Sequence, residues 1–222
     1  MIDISSLTYK IKRTEILENL NFRIKQNDFM GLVGENGSGK TTLIRIVLGL
    51  IDGYDGTVRF DDDIRINYQP ENTNKKLNLT VVEYLLSYCI IYQVKKDIIR
   101  ESIKRVIDLL ELKSEVTKKL NELSKGFLQR VSLARCLLNN PDFIILDEPF
   151  SNIDQYHKGK FIESILSLKG EKTLLIASHN LEEIAKICDR VLILRNKKAI
   201  EVEWIEGEDK LKTIKNTIEK FE

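Results

Sequence analysis

The segment that most constrains the fold of this chain is a glycine-rich loop, residues 34–42, between an apolar strand and a helix. The sequence FMGLV precedes the loop and LIRIVLGL follows it. The loop matches the pattern G-x-x-x-x-G-K-[ST], in which backbone N–H groups and a helix N-terminus converge on phosphates. The flanking strand and helix agree with this pattern and predict a nucleoside triphosphate site. The candidate nucleotide-binding residues of the loop are Gly34, Glu35, Asn36, Gly37, Ser38, Gly39, Lys40, Thr41 and Thr42.

Two side chains of the loop have separate expected roles. The ammonium group of Lys40 is expected to bridge the β- and γ-phosphates. The hydroxyl of Thr41 is expected to ligate Mg²⁺ that accompanies the nucleotide.

A second segment, Phe143–Glu148, ends an apolar strand in two carboxylates. An Asp at the carboxyl end of a strand, downstream of such a loop, is typical of a Walker B motif, so Asp147 is expected to hold Mg²⁺ directly or through water. Glu148 is expected to orient and polarise a water molecule for in-line attack on the γ-phosphate. The pair therefore predicts hydrolysis, because a simple nucleotide binder does not need the second carboxylate.

The alternation of short apolar strands with helices predicts an α/β protein. Its P-loop NTPase core should carry a mainly parallel sheet, with an N-terminal antiparallel β subdomain and an inserted α-helical subdomain. We expect one domain over 1–222, with a core at 1–71 and 140–205, the helical subdomain at 72–139 and a C-terminal helix at 206–222. Strands are predicted at 2–8, 14–24, 28–33, 57–60, 65–68, 143–147, 173–178, 191–195 and 199–204, and helices at 40–49, 99–110, 154–168, 181–187 and 208–220. A capping box of Thr80 and Glu83 marks the start of a further helix.

Composition excludes some partners and chemistries. Lys and Arg total 35 and Asp and Glu total 34, which leaves a formal net charge of +1. This balance removes the electrostatic argument for a nucleic-acid partner, and none is expected. Cys89, Cys136 and Cys188 are far apart and lack metal-type spacing, so we expect buried, reduced thiols.

A third segment, Leu123-Ser124-Lys125-Gly126-Phe127, completes a resemblance to the ATP-binding cassette (ABC) family over residues 1–205. The common form of the family signature is Leu-Ser-Gly-Gly-Gln. Ser124 and Gly126 fit it, whereas Lys125 replaces a glycine and Phe127 replaces the glutamine. The resemblance implies that this segment reaches the γ-phosphate bound by the opposite subunit, and Ser124 is also expected to cap a helix.

Four single residues match other positions of the family. Tyr9, after the predicted first strand, matches the aromatic that stacks on adenine, although a core or surface tyrosine is the alternative. Gln69 matches the glutamine that contacts the Mg²⁺ or the attacking-water region. Asp154, in the segment 151–154, matches the residue that communicates across the dimer, and His179 matches the histidine that contacts the γ-phosphate. The implied catalytic residues are Lys40, Gln69, Glu148 and His179, and the implied metal ligands are Thr41, Gln69 and Asp147.

The resemblance implies an ATPase that uses ATP and Mg²⁺ and works as a subunit of an ABC transporter. Two cassettes, as a homodimer or a pair of different ABC subunits, would bind ATP head to tail and drive a separate integral membrane permease. The Ser-Lys-Gly form of the signature is similar to cassettes of bacterial exporters, which predicts export. The expected location is cytoplasmic, at the inner face of the cell membrane through the permease.

Other interpretations remain beside transport. A soluble ABC ATPase acting on ribosomes or DNA usually carries two cassettes or a long coiled-coil insertion, and neither is found in this sequence. A regulatory cassette that signals through a membrane partner is not distinguished from a transporter subunit by sequence. A small-molecule kinase with a P-loop is disfavoured by the signature together with His179.

Overall fold

The fold follows the predicted alternation of strands and helices. The computed structural model describes residues 1–61, 63–71, 77–151, 153–204 and 207–221. The strands are β1 (Ile2–Ile11), β2 (Thr14–Ile24), β3 (Phe29–Val33), β4 (Asp55–Phe60), β5 (Ile66–Gln69), β6 (Phe143–Asp147), β7 (Thr173–Ser178), β8 (Arg190–Arg195) and β9 (Lys198–Glu203). The helices are α1 (Lys40–Val47), α2 (Val81–Ile91), α3 (Ile99–Leu109), α4 (Lys125–Leu137), α5 (Gln155–Leu166), α6 (Leu181–Ile187) and α7 (Lys210–Lys220).

Within the described residues, the strands form two sheets. The smaller sheet has the order β2-β1-β4 and is antiparallel. The larger sheet has the order β5-β6-β7-β3-β8-β9, and its strands run parallel except for β9, which is antiparallel to β8. The predicted α/β class, with an antiparallel N-terminal sheet and a mainly parallel core, is confirmed.

The larger sheet is buried on both faces, because successive strand residues point to opposite sides. On one face, Met30 and Leu32 of β3 pack with the apolar side of α1 and with the smaller sheet. On the other face, Phe29 and Val33 pack with helices that include α4, α5 and α6. This two-sided burial explains why the central strands are uniformly apolar.

Strand register brings three chain segments to one edge of the larger sheet. Val33, the last residue of β3, pairs with Ser178 at the end of β7. Asp147, the last residue of β6, pairs with Ala177 of β7. The segments that follow β3, β6 and β7 therefore begin side by side, which is where ligands bind in open α/β sheets.

The helical insertion is fastened to the edge strand β5. Its helices α2, α3 and α4 lie between β5 and β6 in the chain. The predicted capping box is confirmed, since the Thr80 side chain accepts from the Glu83 N–H and the Glu83 carboxylate accepts from the Thr80 N–H. The guanidinium of Arg135, on α4, donates to the carbonyl oxygen of Tyr68 at 2.6 Å. The division of the chain into one core, one helical subdomain and a C-terminal helix stays a prediction.

Several element ends differ from those predicted. Strand β1 continues to Ile11, so Tyr9 lies inside the strand and not after it. Gln69 is likewise the last residue of β5 and not a residue beyond it. Helix α1 ends at Val47, because Gly49 adopts a left-handed conformation (φ 67°) that terminates the helix. Residues 206 and 222 of the predicted C-terminal helix lie outside the described residues.

The C-terminal helix α7 packs against the rest of the fold. Ile214 is fully buried in the apolar cluster that also contains α6 residues. The Arg195 guanidinium, at the end of β8, donates to the carbonyl oxygen of Ile218. The helix therefore covers the end of the sheet near α6.

The cysteines and the lengths of the helices complete the description of the fold. Cys89, Cys136 and Cys188 are buried free thiols, as predicted. Among the helices of the described residues, none is both long enough and apolar enough to cross a bilayer.

Two glycines provide a matched test of packing. A Cβ at Gly31, in β3, would lie 2.6 Å from Cγ2 of buried Ile184, whereas a Cβ at Gly159, at an exposed position of α5, meets nothing within 4 Å. Gly31→Ala should lower the free energy of unfolding by roughly 1–3 kcal/mol through overpacking. Gly159→Ala should raise it by roughly 0.5–1 kcal/mol through helix propensity. Urea unfolding measures both, and equal effects of the same sign would contradict this account of the core.

Candidate active site

The glycines of the loop after β3 set its backbone conformation and its close packing. Gly37 and Gly39 adopt positive φ angles of 84° and 106°, which favour glycine. A Cβ at Gly34 would lie 2.5 Å from the carbonyl oxygen of Leu194, so this glycine allows close approach to β8. Among the described residues, the buried Ser38 Oγ has no hydrogen-bond partner. The loop therefore has the glycines and the free donor that a phosphate group needs.

The two side chains predicted to act from this loop lie at the start of α1. Lys40 is 6% exposed, and its ammonium group donates to the carbonyl oxygens of Gly34 (2.7 Å) and Glu35 (3.2 Å). Its Nζ lies 3.9 Å from Oε1 of Glu148. The Thr41 hydroxyl donates to Asp147 Oδ2 at 3.3 Å. The structure thus joins the loop to Asp147, at the end of β6, and to Glu148, directly after it.

Asp147 is almost completely buried at the end of β6. Burial raises the pKa of its carboxyl group above the ordinary value, and the nearby Glu148 and Glu71 carboxylates add to this rise. Hydrogen bonds from the hydroxyls of Tyr68 and Thr41 oppose it, because they stabilise the charged form. A bound cation would favour the carboxylate form further.

Glu148 adopts a left-handed backbone conformation with φ 46°, which is uncommon for a residue other than glycine. Its N–H donates to the carbonyl oxygen of Ala177 at 2.8 Å, and this bond holds the turn against β7. Glu148 Oε2 lies 2.9 Å from His179 Nδ1, and the carboxylate accepts this hydrogen bond when Nδ1 carries the proton. Among the described residues, buried Oε1 has no hydrogen-bond partner. Glu148 and His179 are therefore brought together as a pair.

The two motifs enclose a cavity of about 260 Å³. It is lined by Ile16, Asn36, Gly37, Gly39, Lys40, Thr41, Thr42, Glu71, Asp147 and Glu148. A neighbouring cavity of about 470 Å³ shares Asn36 and Gly37 and extends to Thr14, Glu15 and Arg195. The two cavities therefore lie on the same loop, one at the carboxylates and the other at the start of β2.

Tyr9 and Gln69 do not line these two cavities in the described residues. Tyr9 is half-buried against the apolar cluster of the smaller sheet. The apolar side chain that lines the cavity beside the loop is Ile16. Gln69 is fully buried, and its amide donates to Oε1 of Gln129 on α4. The roles of Tyr9 at adenine and of Gln69 at the metal stay predictions, and Gln69 would have to leave Gln129 to reach the cavity.

The signature segment lies at the start of α4, and its residues do not line either cavity within the described part of the chain. Ser124 caps the helix by accepting from the Phe127 N–H at 3.4 Å, as predicted. Because Ser124 and Lys125 are exposed, they are accessible to a second subunit. The contact itself stays a prediction.

His157 packs directly on the signature segment. A Cβ at Gly126 would lie 2.5 Å from His157 Cβ, and the rings of Phe127 and His157 are 5.7 Å apart. His157 Nδ1 lies 2.7 Å from Asp154 Oδ2, and the Asp154 carboxylate also caps α5. The pKa of Asp154 is lowered, mainly by its hydrogen bond from the His157 N–H. Asn152, in the same predicted segment, lies outside the described residues.

Sequence reasoning missed Tyr68, Glu71 and Ile16 at this site. The Tyr68 hydroxyl donates to Asp147 Oδ2 at 3.2 Å, and burial is the main cause that raises the pKa of the phenol, so it remains a donor. The signal available in the sequence was the position of Tyr68 at the end of the strand predicted at 65–68; its pairing with β6 is known only from the fold. Ile16 and Glu71 carried no local signal, because only the tertiary fold brings them to the cavity.

The residues present fit MgATP by the chemistry of their donors. Loop N–H groups, the Ser38 hydroxyl and Lys40 suit phosphates. The Thr41 hydroxyl and the Asp147 carboxylate are the hard oxygen ligands that Mg²⁺ prefers beside phosphate oxygens. When bound, Mg²⁺ neutralises the charge that develops on the transferred phosphoryl group.

Comparison with known proteins identifies the family. Residues 17–151 match the model of the ABC transporter family. An uncharacterised ABC transporter ATP-binding protein of Methanocaldococcus jannaschii is 36% identical over 206 residues, which cover 92% of this chain and 78% of that protein. The zinc import ATP-binding protein ZnuC of Wolbachia is 33% identical over 199 residues, which cover 88% of this chain and 80% of that protein.

Solved structures agree on the fold. An ATP-binding cassette of an ABC transporter in its ADP conformation superposes with a TM-score of 0.84 at 24% identity, over 96% of this chain and 94% of that one. CbiO1 of Clostridium perfringens, part of the transporter complex CbiONQ, gives 0.83 at 22% identity, over 99% of this chain and 93% of that one. With the two motifs meeting at one sheet edge, this chain belongs to the ABC transporter family and is an ATP-binding cassette ATPase of a transporter.

Proposed function

We propose that two cassettes, this chain and a second copy or a paired ABC subunit, bind MgATP head to tail, and that hydrolysis drives import through a separate membrane permease. The observation that supports this most is the cavity in which Lys40, Thr41, Asp147 and Glu148 meet, while Ser124 lies elsewhere on the same chain. A site that needs the signature is then completed only by a second subunit.

The proposed chemistry assigns a role to each group. Lys40 binds the β- and γ-phosphates, and Thr41 and Asp147 hold Mg²⁺. Glu148 takes a proton from the attacking water, and His179, 2.9 Å from it, keeps the carboxylate oriented and meets the γ-phosphate. Glu148 combines a left-handed backbone conformation with a place in the cavity wall, and such uncommon conformations cluster at active sites.

The face of α2 is the proposed docking surface for the permease. Val82, Leu86 and Ile90 are spaced four residues apart on this helix and are exposed, Ile90 to 69%. Ile91 and Ile98 extend the apolar surface towards α3. An apolar stripe that remains in water is costly and marks a binding surface. A membrane permease is the proposed occupant, which would place this chain at the inner face of the membrane.

Import is the direction that we propose. The export predicted from the Ser-Lys-Gly signature is not supported by the relatives, several of which are named zinc import proteins. The same names suggest a metal ion as the cargo. In this proposal Zn²⁺ is substrate and does not belong to the nucleotide site.

Glu148→Gln should give an ATP-dependent dimer with turnover reduced by roughly 100-fold or more, because the water loses its general base while ATP still binds. Size-exclusion chromatography in saturating MgATP measures the dimer. Adding Ser124→Arg to this variant should restore the monomer without loss of ATP binding. Glu182→Gln, which makes the same change at an exposed glutamate, is the control for Glu148→Gln. A monomeric Glu148→Gln protein, or a dimer that tolerates Ser124→Arg, would count against the two-subunit site.

Leu86→Asp with Ile90→Asp should abolish co-purification of a multi-span protein from detergent-solubilised membranes, since charges on the stripe oppose apolar docking. ATP binding should be unchanged. Leu109→Asp, on α3, is the matched control and should keep the partner. Recovery of ribosomal or DNA-repair proteins by the wild type, with no membrane protein, would contradict the transporter assignment.

The purified complex in vesicles tests direction. With radiolabelled Zn²⁺ on both sides and ATP on the cassette side, import predicts that Zn²⁺ accumulates on the cassette side. The complex with Glu148→Gln should show no accumulation. Movement away from the cassette side would restore export, and ATP hydrolysis without movement would favour a signalling cassette.

A further inference from the structure

We infer that the Tyr68 hydroxyl is a positioning group for Asp147 and sets the Mg²⁺ concentration at which the chain binds nucleotide. Its donor contact is direct, since Tyr68 Oη lies 3.2 Å from Asp147 Oδ2. The Thr41 hydroxyl donates to the same oxygen at 3.3 Å. Among the described residues, Oδ1 of Asp147 receives no hydrogen bond.

This arrangement separates the two oxygens of the carboxylate. With Thr41 and Tyr68 both donating to Oδ2, rotation of the carboxylate about its last bond is restricted, and Oδ1 is kept for a cation. The Thr41 oxygen has lone pairs left when its proton points to Asp147, so it can ligate the same ion. Without the phenol, Thr41 would have to orient the carboxylate and serve the metal alone.

The phenol is itself held by the helical insertion. Tyr68 pairs with Ile145 of β6, so its strand is fixed beside the strand that carries Asp147. Its carbonyl oxygen accepts from Arg135 on α4, and the next residue, Gln69, donates to Gln129 on the same helix. The helix that begins with the signature therefore holds the strand end from which the hydroxyl reaches the metal ligand.

The inference rests on the ATP site of the proposed function, but not on transport direction or on the permease. Tyr68→Phe removes one oxygen and keeps the ring that packs in the apolar cluster. Tyr54→Phe is the matched control, because Tyr54 packs against the same cluster and makes no hydroxyl hydrogen bond among the described residues. Binding of the non-hydrolysable analogue AMP-PNP to the full chain is measured by calorimetry while Mg²⁺ is titrated, and again in EDTA.

Tyr68→Phe should raise the Mg²⁺ midpoint by about tenfold, the effect of losing one hydrogen bond to a charged group. Binding in EDTA should change by less than about twofold, and Tyr54→Phe should match the wild type. An unchanged midpoint overturns the inference. An equal loss with and without Mg²⁺, or a Tyr68→Phe chain that does not fold, also overturns it, because the hydroxyl would then be structural.

The failures of the two proposals are distinguishable. If wild type and Tyr54→Phe bind the analogue with Mg²⁺ and Tyr68→Phe does so equally well, only the assignment of Tyr68 is wrong. If the wild type binds no nucleotide with Mg²⁺, both the assignment and the proposed function are wrong.

Discussion

The side-by-side pairing of β6, β7 and β3 is the constraint on which the site depends. Ala177 of β7 lies between Leu32 of β3 and Asp147 of β6, so segments more than a hundred residues apart begin at one edge. Burial of both sheet faces maintains this register. A slip of one residue would turn every side chain of a strand to the opposite face and move Asp147 away from Thr41.

The polar groups at this edge of the sheet stabilise two adjacent buried carboxylates, those of Asp147 and Glu148. Asp147 receives hydroxyl hydrogen bonds, while Glu148 has His179 at one oxygen and the Lys40 ammonium near the other. Buried carboxylates without such partners would be costly. The donors that offset the cost of burying these carboxylates also orient them. One set of contacts therefore contributes both to the stability of the fold and to the proposed chemistry.

Local patterns predicted the parts of the site that are local. The loop and the carboxylates at the strand end depend on neighbours within a few residues, and the structure has them where they were expected. Tyr68 and His157 could not be assigned, because their partners lie on other elements and are brought near only by the fold. Gln69 was recognised, but its burial against Gln129 depends on how α4 packs, which no local pattern specifies.

The close packing of Gly126 on His157 has a consequence for how this signature can vary. The glycine is required within its own chain, because even one methyl group would collide with the His157 Cβ. If the same residue also faces a second subunit, it is under selection from two sides at once. A larger residue at position 126 would therefore fit only with glycine at position 157 or after a shift of α4 relative to α5, because every other side chain keeps the Cβ atom that collides.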